Sequence, residues 1–323
     1  MRNAESVTFG SSALNRAAEQ RNKEAQALLV TQDNALVTIF WRGKPLFRKE
    51  NNSNLALAWV SLDSDVLTHQ MGPLIFLGIN ETNAPLFVAD ISTWSPEELP
   101  ETLNEFLDPS EQRHPALNNS EYFGELRRAM THLSARDAEL AVIGRGILEW
   151  HKGHSFCSAC GHPLIPEMAG WQLTCTRCKK IHFPRTDPVV IMLITHGNNV
   201  LMGRSHAWPS GMYSLLAGFV EPGETLEAAV RREVFEEANI RVGDVGYLTS
   251  PPWPFPASLM FGCEGKALTT DINIDPNELE DAQWVSREEM LDVFEGVHPK
   301  IKPARTGAIA HFLLENWMAD TLN

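Results

Sequence analysis

The sequence predicts a mixed α+β (or α/β) protein: an α/β/α sandwich in the C-terminal half, preceded by a small cysteine-bearing ribbon and a β-rich N-terminal domain. Three observations carry that expectation. Residues 182–286 read as strands arranged around one strongly helical stretch, 225–238, with further helices at about 287–294 and 304–319. Four of the five cysteines fall in two close pairs, C-S-A-C (157–160) and C-T-R-C (175–178). Ahead of them, residues 27–92 alternate short apolar runs with turn residues.

The chain has 323 residues, enough for two or three small domains, and its 43% hydrophobic and 21% charged content is that of an ordinary globular protein. The expected divisions are a β-rich domain (1–125), a connecting helix (126–152), a ribbon (153–184) and a C-terminal sandwich domain (185–323). In the first domain strands are expected at 27–31, 35–41, 45–48, 55–62, 73–79 and 85–91 after a weakly helical lead-in. RGK (42–44) and NETNA (80–84) are expected as hairpin loops and KENNSN (49–54) as a polar loop. Residues 94–120 carry four prolines and read as mixed helix and loop, and no internal repeat is evident. No apolar run approaches the roughly 20 residues that span a bilayer, and the N-terminus lacks the apolar core of a secretory signal. A cytoplasmic, membrane-free protein is expected. A net charge of −14 disfavours non-specific nucleic-acid binding but leaves phosphate substrates open, because bound cations reverse a local field.

Two CxxC knuckles separated by 14 residues have the spacing of a four-thiolate zinc ribbon, with Cys157, Cys160, Cys175 and Cys178 as ligands. With no open position in view the zinc is expected to be structural. Cys263, alone in the apolar run 258–263, reads as core.

The stretch 218–240, GFVEPGETLEAAVRREVFEEANI, organises the C-terminal half. After a Gly-rich turn, Thr225 to Ala238 contains no Gly or Pro, and Thr225 suits an N-cap with Glu227 in the first turn. On a helical projection Leu226, Ala229 and Val230 form an apolar stripe, and its continuation brings up Glu233 and Glu237, with Glu236 beside them. Most acidic clusters are solvated faces. Carboxylates on a face that packs inward instead suit hard divalent cations such as Mg²⁺ or Mn²⁺. These residues resemble the Nudix box: Gly218, Glu224, Arg232, Glu233, Val234, Glu236, Glu237 and Ile240 fall on its pattern in order. Asn239 stands where that family has Gly, at a helix-end position of positive φ that Asn also tolerates.

Ten residues further, SPPWPFPAS (250–258) is similar to the array that marks the NADH pyrophosphatases of the Nudix superfamily, with Pro251 in place of Gln. Its prolines pre-set an extended backbone that could hold Trp253 and Phe255 as flat walls for a base or nicotinamide ring. Phe76-Leu77-Gly78 and Phe183-Pro184-Arg185 also fit that family, Phe183 replacing its usual Tyr. The resemblance implies hydrolysis of NADH or NAD⁺ to AMP and nicotinamide mononucleotide, with removal of NAD caps from RNA in some members, and a homodimer. It implies catalytic Glu233, Glu236 and Glu237, and Mg²⁺ or Mn²⁺ held by these three, the carbonyl of Ala217, and Glu278. It also implies substrate contacts from Phe183, from Pro251, Pro252, Trp253, Pro254, Phe255, Pro256, Ala257 and Ser258, and from Ala310. By sequence alone Glu280 and Asp281 are as near as Glu278. Arg232 and Glu224 are expected to pair and brace the Gly-rich loop.

Two other readings stand beside this one. A broader hydrolase of ADP-ribose or dinucleoside polyphosphates would use the box without the proline array. A zinc-ribbon nucleic-acid-binding regulator with a silent Nudix domain would predict missing box carboxylates and a basic ribbon, whereas all the carboxylates are present and the ribbon's bases are few.

Overall fold

The computed structural model describes residues 4–50, 54–103, 105 and 108–322. The chain divides into two compact units: residues 11–185 with 254–257, and residues 1–10 with 186–253 and 258–323.

In the first unit, helix α1 (Lys23–Leu29) precedes strands β1 (Leu36–Trp41), β2 (Lys44–Lys49), β3 (Leu55–Leu57), β4 (Val60–Ser61), β5 (Met71–Ile79), β6 (Pro85–Asp90) and β7 (Glu121–Phe123), then helices α2 (Leu126–Ala129) and α3 (Ala135–Gly153). The sheet runs β3-β2-β1-β6-β5, with β4 on β1 and β7 on β2, and β1 and β6 are parallel. The β1–β2 hairpin turns on Arg42 and Gly43, both at positive φ, as primed hairpin turns require. One sheet face builds a core of Val37, Ile39, Trp41, Phe76 and Phe87. On the other, a β-carbon on Gly144 of α3 would press against Phe40 and Val88, so small size lets helix and sheet approach.

The ribbon strands β8 (Leu164–Glu167), β9 (Gln172–Cys175) and β10 (Ile181–His182) form an antiparallel sheet in the order β10-β9-β8. The ribbon is fastened within its unit by Trp171 Nε1 donating to the Phe76 carbonyl (2.7 Å), with the Arg21 guanidinium 3.9 Å over the Trp171 ring.

The second unit contains β11 (Asp187–His196), β12 (Asn199–Arg204), β13 (Leu216–Phe219), α4 (Leu226–Ala238), β14 (Val242–Thr249), β15 (Pro252–Trp253), β16 (Ser258–Ala267), β17 (Asp281–Ser286), α5 (Arg287–Glu295) and α6 (Ile309–Met318). Its sheet runs β14-β16-β11-β12-β17, with β13 on β11, β15 on β16, and β11 parallel to β16. Strand alternation gives β11 two buried faces. Val190, Met192 and Ile194 pack with α4, while Val189, Ile191 and Leu193 pack with α5 and α6. The expected α/β/α sandwich follows.

The two sheets share a topology. In each, a first strand forms a hairpin with the next, takes a third short strand along its edge and runs parallel to a later one: β1, β2, β4 and β6 in one unit, β11, β12, β13 and β16 in the other. Between β13 and β14 the chain makes α4. At the same place in the first unit, between β4 and β5, it makes only a short 3₁₀ turn, Asp65–His69. The repeat absent from the sequence is present in the topology.

Four elements differ from expectation: the strand expected at 55–62 is two, β3 on β2 and β4 on β1, and three others follow. The apolar run 27–31 is the end of α1 rather than a strand, because Asn22 caps a run of good helix formers by accepting from Ala25 N (2.8 Å). The connecting helix is two helices, since Ser134 starts α3 by accepting from Asp137 N (3.1 Å). Residues 94–120 contain no helix among the described residues, and part of the loop at 49–54 lies outside them.

Candidate active site

Helix α4 starts at Thr225, whose hydroxyl accepts from Ala228 N (3.2 Å), and ends at Asn239, at φ 59° and ψ 23°. Asn239 thus occupies the left-handed conformation expected of it. Ala229, Val230, Val234 and Ala238 seat the helix on β11 and β13, and the same face carries Glu233 and Glu237, only 9% and 6% exposed. Glu236, beside them, is exposed.

Gly218 on β13 faces Glu233: a β-carbon there would overlap the Glu233 carboxyl group. Leu216 and Gly218 therefore share the strand face toward α4, while Ala217 and Phe219 point the other way and are exposed, Phe219 by 59%.

Arg232 is the hub of the loop. It donates from Nε and Nη2 to the two oxygens of Glu224 (2.7 and 2.8 Å), from Nη1 to Glu233 (2.9 Å) and Glu236 (3.0 Å), and from Nη2 to the Phe219 carbonyl (2.9 Å). The Arg232 hydrogen bonds, with Glu221 N, hold Glu224 at a pKa of about 2. Glu224 is thus a brace, as expected. Burial, then the charges of Glu233, Glu278 and Glu236, push Glu237 up to about 8. Burial also raises Glu233, opposed by Arg232.

The structure separates three acids that the sequence left equivalent. Glu280 pairs with Arg204 (2.9 Å) and Asp281 with Lys300 (2.8 Å), whereas Glu278 adds its charge to the field at Glu233 and Glu237. The Glu278 segment is tied to the end of α4 by Asn273 N to Ala238 O and Asp275 N to Glu237 O, both 3.1 Å. Two buried, mutually repelling carboxylates among oxygen donors fit hard divalent cations.

The four thiols come together: Sγ separations are 3.4 Å (Cys160–Cys175), 3.5 Å (Cys160–Cys178) and 3.7 Å (Cys157–Cys178), and all four lie within 4.8 Å of one another. Zinc–sulfur bonds of about 2.3 Å in a tetrahedron place sulfurs roughly 3.8 Å apart, so the cluster fits zinc. Among the described residues this is the one set of three or more His, Cys, Asp or Glu side chains so tightly convergent. Cys263 is buried, as expected of a core residue.

The proline array forms a hairpin. Pro252 and Trp253 pair with Leu259 and Ser258, and Met260 N donates to Pro251 O (3.0 Å). Trp253 is half-buried against the core of its unit and lies 6.5 Å from the Phe9 ring, while Ala310, expected as a substrate contact, is buried in that core. Pro254 to Ala257 form the turn, which belongs with the first unit, and its Phe255–Pro256 bond is cis. The Phe255 ring already carries guanidinium groups over it, from Arg127 (3.9 Å) and Arg145 (4.8 Å). Phe183, in the first unit, is 69% exposed. An exposed aromatic that sequence reading passed over is Phe219, the residue after Gly218. Its signal was strand alternation, which puts an apolar ring immediately after Gly218 on the side away from α4.

Box helix, Gly-rich brace and sandwich together define a Nudix-type protein. Residues 185–305 match the NUDIX domain family, 34–150 the NADH pyrophosphatase-like rudimentary NUDIX domain, and 153–183 the NADH pyrophosphatase zinc ribbon domain. The chain is 34% identical over 340 residues to "NAD-capped RNA hydrolase NUDT12" of Pongo abelii, an alignment covering 96% of this chain and 73% of that protein. It is 42% identical over 201 residues to the Homo sapiens protein of the same name, covering 59% of this chain and 44% of that one. It is 38% identical over 180 residues to "NAD-capped RNA hydrolase NudC" of Salmonella heidelberg, covering 55% and 66%. The chain thus spans less than half the length of the human relative. It belongs to the NADH pyrophosphatase family of Nudix proteins. Among the described residues no helix is long and apolar enough to cross a membrane.

Proposed function

We propose that this chain hydrolyses the diphosphate bond of NADH or NAD⁺ to AMP and nicotinamide mononucleotide, and that the same site accepts the NAD cap of RNA. The observation that carries the reading is the buried pair Glu233 and Glu237, with Glu233 against Gly218, on a chain that also carries a proline hairpin of the NADH pyrophosphatase type. The names of the relatives, NAD-capped RNA hydrolases among them, support it.

Glu233, Glu236 and Glu237, with the Ala217 carbonyl and Glu278, would hold Mg²⁺ or Mn²⁺. Those ions supply a positive field that offsets the diphosphate charge and acidifies water. A box carboxylate takes the proton of the attacking water. Arg232, saturated by Glu224, Glu233, Glu236 and a carbonyl, holds the acids in place rather than binding phosphate. Phe219 offers an exposed face on which a base or nicotinamide ring can stack, and Phe183 offers another in its own unit. The four cysteines hold one structural zinc, so metal analysis should find about one zinc per chain, lost in Cys175→Ser. A cytoplasmic homodimer completes the proposal, to be checked by light scattering of the purified chain and fractionation of cells that express it.

The deciding experiment is a steady-state assay with Mg²⁺ or Mn²⁺ on NADH, NAD⁺, ADP-ribose and diadenosine tetraphosphate, with products resolved by chromatography. Release of AMP and reduced nicotinamide mononucleotide, with NADH giving the highest kcat/KM, supports the proposal. Preference for ADP-ribose replaces it with the broader hydrolase. No activity on any substrate removes it.

A further inference from the structure

The turn of the proline hairpin is fastened by arginines outside the box. Arg145, on α3, donates from Nε to the Pro254 carbonyl (2.8 Å) and from Nη1 to the Gly43 carbonyl, and its guanidinium lies 4.8 Å from the centre of the Phe255 ring. Arg127, from α2, lies over the same ring at 3.9 Å. Gly43 has φ +78°, and a β-carbon there would come within 2.9 Å of Arg145 Nη1, so the β1–β2 turn leaves space for this guanidinium. Glu125 and Glu149 add compensating negative charge to Arg145.

In a protein that handles diphosphates, an arginine at the specificity loop reads first as a phosphate ligand. This one has committed two donor nitrogens to backbone carbonyls, and its charge is directed at an aromatic ring. Both interactions act on the loop itself. A cation over an aromatic face is directional, and a carbonyl acceptor fixes the turn's backbone. Pro254 to Ala257 are themselves part of the proline array and lie in the same unit as both arginines, so these contacts fix that part of the array.

We propose that Arg145, with Arg127, is a positioning residue for substrate recognition: it locks the turn Pro254–Ala257 of the proline array so that this turn is pre-formed before a nicotinamide dinucleotide binds. This rests on the assignment of that hairpin to substrate recognition made above. Pre-formation lowers the ordering cost of binding, so its loss falls on KM rather than on the chemical step.

The test uses the full chain and two readouts. Arg145→Met should raise KM for NADH about tenfold while kcat stays within about twofold. Hydrogen exchange should quicken in peptides covering 252–259 and stay unchanged in those covering 226–238. Arg145→Lys keeps the charge but not the fork and should fall between parent and Arg145→Met. Should Arg145→Met fold poorly, Arg127→Met removes one ring contact and Phe255→Leu removes both, and each should quicken the same peptides. Unchanged KM, or unchanged exchange at 252–259 in all the variants, overturns the proposal. A parent chain inactive on NADH overturns the functional reading instead, and the exchange data then decide the lock alone.

Discussion

Gly218 and Glu233 share one small space: a β-carbon on Gly218 would overlap the Glu233 carboxyl group. The backbone of β13 and the acid of α4 can meet only because residue 218 has no side chain. Gly218→Ala should therefore displace the Glu233 carboxylate, leaving the sandwich intact. Misplacing a reacting group by about 1 Å can cost on the order of 100-fold in rate, and that loss in kcat is expected. Steady-state kinetics beside thermal unfolding checks it; a large fall in Tm with normal kcat would place the role of Gly218 in folding alone.

Glu237 is the acid the fold treats least kindly. Burial and the neighbouring charges of Glu233, Glu278 and Glu236 push it up to about 8, and Arg232 spends its hydrogen bonds on its neighbours. Such a carboxylate is kept against its own electrostatic cost, as a ligand for cations would be. Glu237→Gln has nearly the same shape and no charge. It should lower kcat by about three orders of magnitude while circular dichroism and zinc content match the parent. Activity within about twofold of the parent removes Glu237 from the site.

Phe219 is 59% exposed and directly follows Gly218, which faces Glu233, so its ring is open to a stacking partner. Stacking on a base is worth about 1–3 kcal/mol. Phe219→Ala should accordingly raise KM for NADH about tenfold or more, and Phe219→Tyr should retain most of the affinity. Equal KM values for parent and Phe219→Ala would assign the ring a packing role instead.

The C-terminal half was legible because its signals are local. Thr225 and Asn239 mark the helix ends through their own side-chain and backbone preferences, and the stripe from Leu226 to Glu237 depends only on the helical period. What escaped was set at long range. No local pattern distinguishes Glu278 from Glu280 and Asp281; the difference is made by Arg204 and Lys300, which are distant in sequence. Phe255 looked like a free wall because its partners, Arg127 and Arg145, lie more than 100 residues away. The shared topology of the two sheets was invisible because a strand order constrains which faces are buried, not which residues bury them, and the first unit has only a 3₁₀ turn where the second has α4.

Lys44 and Asp108 form a buried ion pair at 2.6 Å in the first unit, with side chains 4% and 3% exposed. Burial raises the Asp108 carboxyl, but hydrogen bonding from Lys44, Ser110 and Thr102 outweighs it and brings the pKa down from 3.8 to about 2. Because the folded value lies below the unfolded one, the native state binds fewer protons between those pH values, and stability rises with pH there. The contribution, about 2 kcal/mol, is complete above pH 3.8 and is lost as pH falls through about 2. Asp108→Asn also strands the Lys44 ammonium, so near neutral pH it should cost about 3 kcal/mol or more. Urea unfolding followed at a series of pH values should show the gap between parent and Asp108→Asn constant above about pH 5 and narrowing below about pH 4. A gap independent of pH down to pH 2 would mean that Asp108 contributes through shape and neutral hydrogen bonds rather than through its charge.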